Sequence, residues 1–204
     1  GVRADRGGPV PLTAAAHTFW FSSRLFGLLT VGLKPAAARL VAQRLSDAPD
    51  DAHALATLAH LLAEQGQHPV AAQHLQRLLT LCPDDARAWF NLGYVYEQMG
   101  QPADAETAFT RATQLAPRLD RAWYGLALCL IGQERLDEAV VALRHTTELQ
   151  PMGPHAWYQL ARVHAQRRER DQAEQIIQHL SGFEPRVAAQ LVRETGLGAA
   201  PATP

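Results

Sequence analysis

Residues 86–119, ARAWFNLGYVYEQMGQPADAETAFTRATQLAPRL, decide the fold, because much of the remaining chain repeats them imperfectly. Trp89 recurs as Trp123 and Trp157, and Pro117 has counterparts in Pro83, Pro151 and Pro185, all at a spacing of 34 residues. Two unrelated residue types sharing one period is hard to obtain by chance. A fixed period of this size marks stacked supersecondary units, each relying on its neighbours to complete a core.

Aligned on that period, the units are 52–85, 86–119, 120–153 and 154–187. Position four holds Leu55, Trp89, Trp123 and Trp157, and position seven holds Leu58, Leu92, Leu126 and Leu160. The eighth position is always small (Ala59, Gly93, Ala127, Ala161), as is the twentieth (Ala71, Ala105, Ala139, Ala173). Position twenty-four is large: Leu75, Phe109, Leu143 and Ile177. Apolar residues three and four apart predict two amphipathic helices per unit. Small residues let the paired helices approach, and large ones fill the space beside them. A break falls between the helices near Gly66, Gly100, Glu134 and Arg168, and the late proline ends the second helix.

The pattern resembles the bacterial-type tetratricopeptide repeat. Unit 86–119 carries all eight signature residues: Trp89, Leu92, Gly93, Tyr96, Ala105, Phe109, Ala112 and Pro117. The other units keep the key positions with exchanges such as Leu62 and Leu130 for the tyrosine, while His164 departs further. The resemblance covers 52–187 and implies an all-α fold. The expected architecture is a right-handed α-solenoid of stacked antiparallel helix pairs, with about five 34-residue repeats and the first one degenerate.

That first repeat is read at 18–51 from Pro49, Gly32, Pro35 and Ala37, which keep the period, with helices near 18–31 and 36–46. Phe21 takes the tryptophan position there, Trp20 stands one place early, and Arg24 falls where leucine is expected. A C-terminal cap helix is expected over 185–196, with Val187, Ala188, Leu191 and Val192 on one face. Residues 1–17 and 197–204 are expected to be flexible. No Met opens the chain, so it is read as a fragment or processed form.

Composition excludes some functions. A net charge of −1 argues against a non-specific nucleic-acid binder, which needs a basic stripe, so no nucleic-acid partner is expected. Cys82 and Cys129 suit packing residues or free thiols rather than a disulfide framework. The apolar stretch 19–33 contains Arg24 and is too short to span a bilayer. Its Phe19, Trp20, Phe21, Leu25, Phe26, Leu28 and Leu29 read as a docking helix, meeting a membrane surface or a membrane protein. A cytoplasmic location, peripheral to a membrane, is expected, with the periplasm left open.

Catalytic signatures are missing: the chain has no phosphate loop, no His-Glu-x-x-His, no Cys-x-x-Cys and no Gly-x-Ser-x-Gly. His53, His60, His68 and His74 cluster in one unit, yet no two are four residues apart. No catalytic residue, metal or cofactor is expected.

In the family that the repeats resemble, first helices line a concave groove, with positions two, five, six, nine and twelve turned inward. Here that selects Arg87, Phe90, Asn91, Tyr94, Arg121, Tyr124, Leu128, Tyr158, Gln159 and Arg162 as partner-binding residues. His53, Thr57, His60, Glu97, Ile131 and His155 take inward positions of the same set. Aromatics supply contact area, arginines pair with carboxylates, and Asn91 and Gln159 suit a peptide backbone. Asn91 is the foremost candidate, because an amide at that position in the family often pins an extended ligand. The carboxylate clamp of chaperone adaptors is not met, since Ala56, His60 and Gly125 miss its pattern while Asn91 and Arg121 fit. The expected function is a non-enzymatic protein-interaction scaffold, an accessory or assembly subunit of a larger complex. Alternatives are a self-assembling structural protein (a homo-oligomer) and the regulatory arm of an enzyme complex.

Overall fold

The computed structural model describes residues 14–198, which form eleven helices. They are α1 (Ala14–Thr30), α2 (Lys34–Asp47), α3 (Ala52–Glu64), α4 (His68–Leu81), α5 (Ala86–Gln98) and α6 (Pro102–Leu115). There follow α7 (Asp120–Gly132), α8 (Leu136–Leu149), α9 (Pro154–Gln166), α10 (Arg170–Ser181) and α11 (Pro185–Thr195). Each helix packs on its neighbours in sequence, and α3, α5, α7 also touch in series, as do α9 and α11. The result is the expected right-handed α-solenoid of antiparallel pairs. No helix among the described residues is long and apolar enough to cross a membrane. Helix α1 begins at Ala14, inside the stretch read as flexible, because Ala14-Ala15-Ala16 are strong helix formers. The remaining expectations of flexibility, at 1–13 and 199–204, lie outside the described residues.

The periodic small residues are the tightest points of the stack. Ala71, Ala105, Ala139 and Ala173 are 0% exposed, as are Ala127 and Ala161 facing them from the first helices. Gly93 is required for a different reason: a Cβ there would lie 2.7 Å from the Phe109 ring. In the degenerate repeat Leu25 occupies the small position and is buried, while Arg24 at the leucine position is exposed. Leu25 joins the core there, and α1 packs mainly on α2.

The shared period of tryptophan and proline has a direct cause. Trp89 Nε1 donates to the Pro83 carbonyl at 2.8 Å, Trp123 to Pro117 at 2.9 Å and Trp157 to Pro151 at 2.8 Å. Each bond ties the first turn of a new unit to the loop leaving the previous one. On the same seam Arg77 pairs with Asp50 at 2.7 Å and Arg111 with Asp84 at 3.2 Å. Further along, the equivalent positions hold His145 and His179, which pack on the indoles of Trp123 and Trp157 at 4.3 and 4.6 Å. The substitution of His164 for tyrosine is accommodated: it is 4% exposed, and its Nδ1 hydrogen-bonds the Glu169 carboxylate, which Arg167 also holds.

Two local devices weaken toward the C-terminus. Asp51 and Asp85 cap α3 and α5 by accepting from backbone amides, whereas Leu119 and Gly153 offer no side-chain cap to α7 and α9. The turn within each unit needs a left-handed residue. Gly66 and Gly100 supply it at φ of 75° and 69°, but Glu134 and Arg168 are forced to 61° and 62°.

Three outcomes follow. Glu134→Gly, where no side-chain bond is lost, raises stability by about 1 kcal/mol, read by urea unfolding. Trp123→Phe keeps most of the apolar area but removes the N–H, and costs about 1 kcal/mol in the same assay. Burial, aided by Glu97 and Glu106, pushes the Cys129 thiol up to about 11. Maleimide at mildly alkaline pH therefore labels only exposed Cys82 until the protein is unfolded, and two fast thiols in the native state would contradict this placement.

Candidate functional site

The sequence-selected residues lie on successive first helices, α5, α7 and α9, and Phe90, Arg121, Tyr124, Gln159 and Arg162 among them line two hollows. The first, about 370 Å³, is lined by Phe90 and Glu97 of α5, Asp120, Arg121, Tyr124 and Gly125 of α7, and His155 of α9, with Phe109 of α6 and Thr146 of α8, so that its charged side chains are two carboxylates and one arginine. The second, also about 370 Å³, is lined by Ile131, Gln159, Arg162 and Gln166 together with Glu194 and Thr195 of α11. Asn91, Leu128 and Tyr158 are half-buried and Tyr94 is exposed, and these line neither hollow, while exposed Arg87 lines a different one with Asp84, Asp85 and Arg118. His53, Thr57 and His60 lie on α3 apart from both; the Thr57 hydroxyl donates to the His53 carbonyl, and His60 approaches Glu64 at 3.8 Å.

Sequence reasoning did not anticipate how α11 meets this surface. The Tyr158 hydroxyl donates to the Glu194 carboxylate at 2.7 Å, and Gln190 Nε2 donates to the same carboxylate at 2.8 Å. The Arg162 guanidinium lies over the Tyr158 ring, 5.6 Å from its centre. The hydrogen bond to Tyr158 is the main cause holding the Glu194 carboxyl below its ordinary range, and the same bond raises the phenol. Tyr158 is therefore engaged by the chain's own cap helix, with Arg162 stacked on its ring, while among the described residues α11 makes no hydrogen bond or ion pair to Tyr94, Arg121 or Tyr124.

The apolar hollow was missed too, although a signal for it exists. Gly125 stands where other units carry Thr57, Asn91 and Gln159, and Phe109 where they carry Leu75, Leu143 and Ile177. Within the structure the two exceptions meet: a Cβ on residue 125 would lie 2.6 Å from the Phe109 ring. Phe90 packs on Phe109 with ring centres 5.9 Å apart. Partial burial raises the Glu97 carboxyl above its usual range.

The docking-helix residues divide. Leu25 is buried, Phe21 and Leu28 pack on the core, and Arg44 lies over the Phe21 ring at 5.2 Å. Phe26 is 70% exposed and Leu29 is exposed, continued by Val31 and Leu33 at the turn. Phe19 and Trp20 lie on α1, with their side chains outside the described residues. No three His, Cys, Asp or Glu side chains gather into a metal-binding group among the described residues.

Solved structures share this architecture. MamA of Desulfovibrio magneticus RS-1 is 20% identical with a TM-score of 0.72, covering 86% of this chain and 95% of its own. YrrB, described as a TPR protein with an unusual peptide-binding site, is 19% identical with a TM-score of 0.73, covering 85% and 90%. PilF of Pseudomonas aeruginosa is 21% identical with a TM-score of 0.69, covering 89% and 92%. No curated protein matches the sequence. A family model, that of the cilia and flagella-associated protein 70 C-terminal domain, matches residues 27–181. The chain belongs to this family of tetratricopeptide-repeat proteins.

Proposed function

We propose that this chain is a non-enzymatic scaffold that holds a protein or peptide partner in its groove, as an accessory or assembly subunit of a larger complex. The observation that carries this reading is the grouping of Phe90, Arg121 and Tyr124 around one hollow, without intramolecular polar partners for Arg121 and Tyr124 among the described residues. Side chains of this kind dominate binding energy at protein interfaces, and repeat arrays use their inner surface for such contacts. The description of YrrB as having a peptide-binding site supports the same reading.

Phe26, Leu29, Val31 and Leu33 form a separate apolar row at the other end. On our reading it docks the scaffold to its assembly at a membrane periphery. Self-association is the second reading, favoured by the same row, because a terminal repeat ordinarily turns a polar face outward.

Asn91→Ala with Tyr94→Ala is expected to weaken partner capture at least about tenfold while the helical circular dichroism stays unchanged. Unaltered capture by that variant would move the site off α5. Phe26→Ser with Leu29→Ser distinguishes the readings of the apolar row. A self-associating protein loses mass in sedimentation equilibrium, whereas a docking row leaves the mass unchanged and loses co-fractionation with the assembly.

A further inference from the structure

The turns inside the repeats share one backbone and differ in what they display. The Leu33 N–H donates to the Leu28 carbonyl at 2.8 Å, and Gln67 and Gln101 make the same bond to Leu62 and Tyr96 at 2.9 Å. Gly32, Gly66 and Gly100 hold the left-handed residue of each turn. Flanking that residue are Gln65 and Gln67, Met99 and Gln101, Gln133 and Arg135, and Arg167 and Glu169 in the four regular units. In the degenerate unit the pair is Val31 and Leu33, 74% and 50% exposed. The apolar tip is thus a choice of side chains on a regular turn.

The donors of this tip are satisfied from within. The amides of Val31, Gly32, Leu33 and Lys34 donate to the carbonyls of Gly27, Leu29, Leu28 and Gly32, and the Thr30 hydroxyl donates to Gly27 at 2.9 Å. Protein interfaces carry about one hydrogen bond per 100–200 Å². A tip with no spare donor over residues 30–33 suits them poorly, and suits the boundary between lipid headgroups and acyl chains well.

Charge adds a second constraint. Residues 14–46 contain Arg24, Lys34, Arg39 and Arg44 and no Asp or Glu, whereas residues 47–198 carry thirteen Lys or Arg against nineteen Asp or Glu. Lys34 pairs with Glu64 at 3.0 Å and Arg44 with Asp51 at 2.9 Å. Exposed Arg24 and Arg39 form no ion pair among the described residues. Arg39 lines an apolar hollow of about 440 Å³ beside the turn, with Pro35, Leu58, Leu62 and Val70 in its wall. No carboxylate lines it, and its other ionisable side chain, His74, is kept toward neutrality by burial and by Arg77.

On the reading of the apolar row as a docking surface, we propose that what it docks on is an anionic lipid bilayer. Phe26, Val31 and Leu33 enter the headgroup–acyl boundary, with Leu29 at its margin. Arg24 and Arg39 meet lipid phosphates while their stems lie along apolar surface. The contact is superficial, since no described helix is long and apolar enough to cross a membrane. The remaining units, with their excess of carboxylates, are repelled by the same surface, which leaves the groove turned to a partner.

The test is co-sedimentation of the whole chain with vesicles of equal parts phosphatidylglycerol and phosphatidylcholine, and with vesicles of phosphatidylcholine alone. Binding to the anionic vesicles is expected, weakening as salt is added. Val31→Gln with Leu33→Gln gives the first turn the residues that the next unit carries on the same backbone, and should cost at least about tenfold. Arg24→Gln with Arg39→Gln should cost about fivefold per arginine and flatten the salt dependence. Circular dichroism checks that both variants fold; if the turn variant does not, the arginine variant, on the exposed surface, decides alone.

Equal binding to both kinds of vesicle, or binding indifferent to the arginine variant, would overturn the anionic bilayer. So would no binding to either. In that case a turn variant that still loses co-fractionation with the assembly would leave the row docking on a protein, and one that keeps it would remove the docking reading itself. A turn variant of lower mass in sedimentation equilibrium would assign the row to a second copy of the chain and overturn the lipid surface.

Discussion

The close approach of alanine to alanine or glycine inside each hairpin is the constraint on which the rest of this molecule depends. With both sides of the contact excluded from water, two helices come near enough for their large neighbours to interlock above and below. A methyl group is the largest substituent that the contact takes at most units, and at Gly93 even that is too much. The degenerate repeat demonstrates the point by exception. With Leu25 in the small position, its hairpin keeps the topology but leaves Phe26 and Leu29 facing outward. Helix pairing sets where apolar side chains are left over, and leftover apolar side chains are what a scaffold offers to other molecules.

Stacking the hairpins requires a second kind of link, between units rather than within them. Hydrophobic packing has no direction, so it fixes proximity better than angle. The indole N–H to proline carbonyl bond is directional, and its repetition gives three successive units one orientation. Their first helices then present equivalent positions side by side. An arginine, a phenol or an amide at a given place in the repeat is carried along the surface as a spaced row.

Most of this was legible from residue spacing, because the period is written in side chains that cannot be exchanged freely. Helix pairing, the break positions and the cap helix all follow from alanine, glycine and proline placement. What escaped involved contacts between departures from the period. Phe109 reads as a signature residue of its own unit and Gly125 as a gap in the next, and spacing along the chain does not show that the ring seats where a Cβ on residue 125 would stand. Glu194 lies off the apolar face of its own helix, yet its carboxylate accepts from the Tyr158 hydroxyl of α9, a contact that the pattern of α11 alone does not contain. The inward turn of Leu25 rather than Arg24 likewise depends on how α1 rotates against α2, which a spacing rule that expects leucine one place earlier cannot supply.

The uneven distribution of caps and turn glycines has a consequence for motion. In a one-dimensional array, stability is close to a sum over units and their junctions, so opening begins wherever that sum is smallest. Unit 86–119 has an aspartate cap, a glycine in the left-handed turn, an indole tie and an interunit ion pair. Unit 154–187 has no cap and an arginine held in the left-handed turn. Amide protons should thus exchange more slowly around α5 and α6 than around α7 to α10, leaving Phe90, Asn91 and Tyr94 on a better-braced platform than the units that follow.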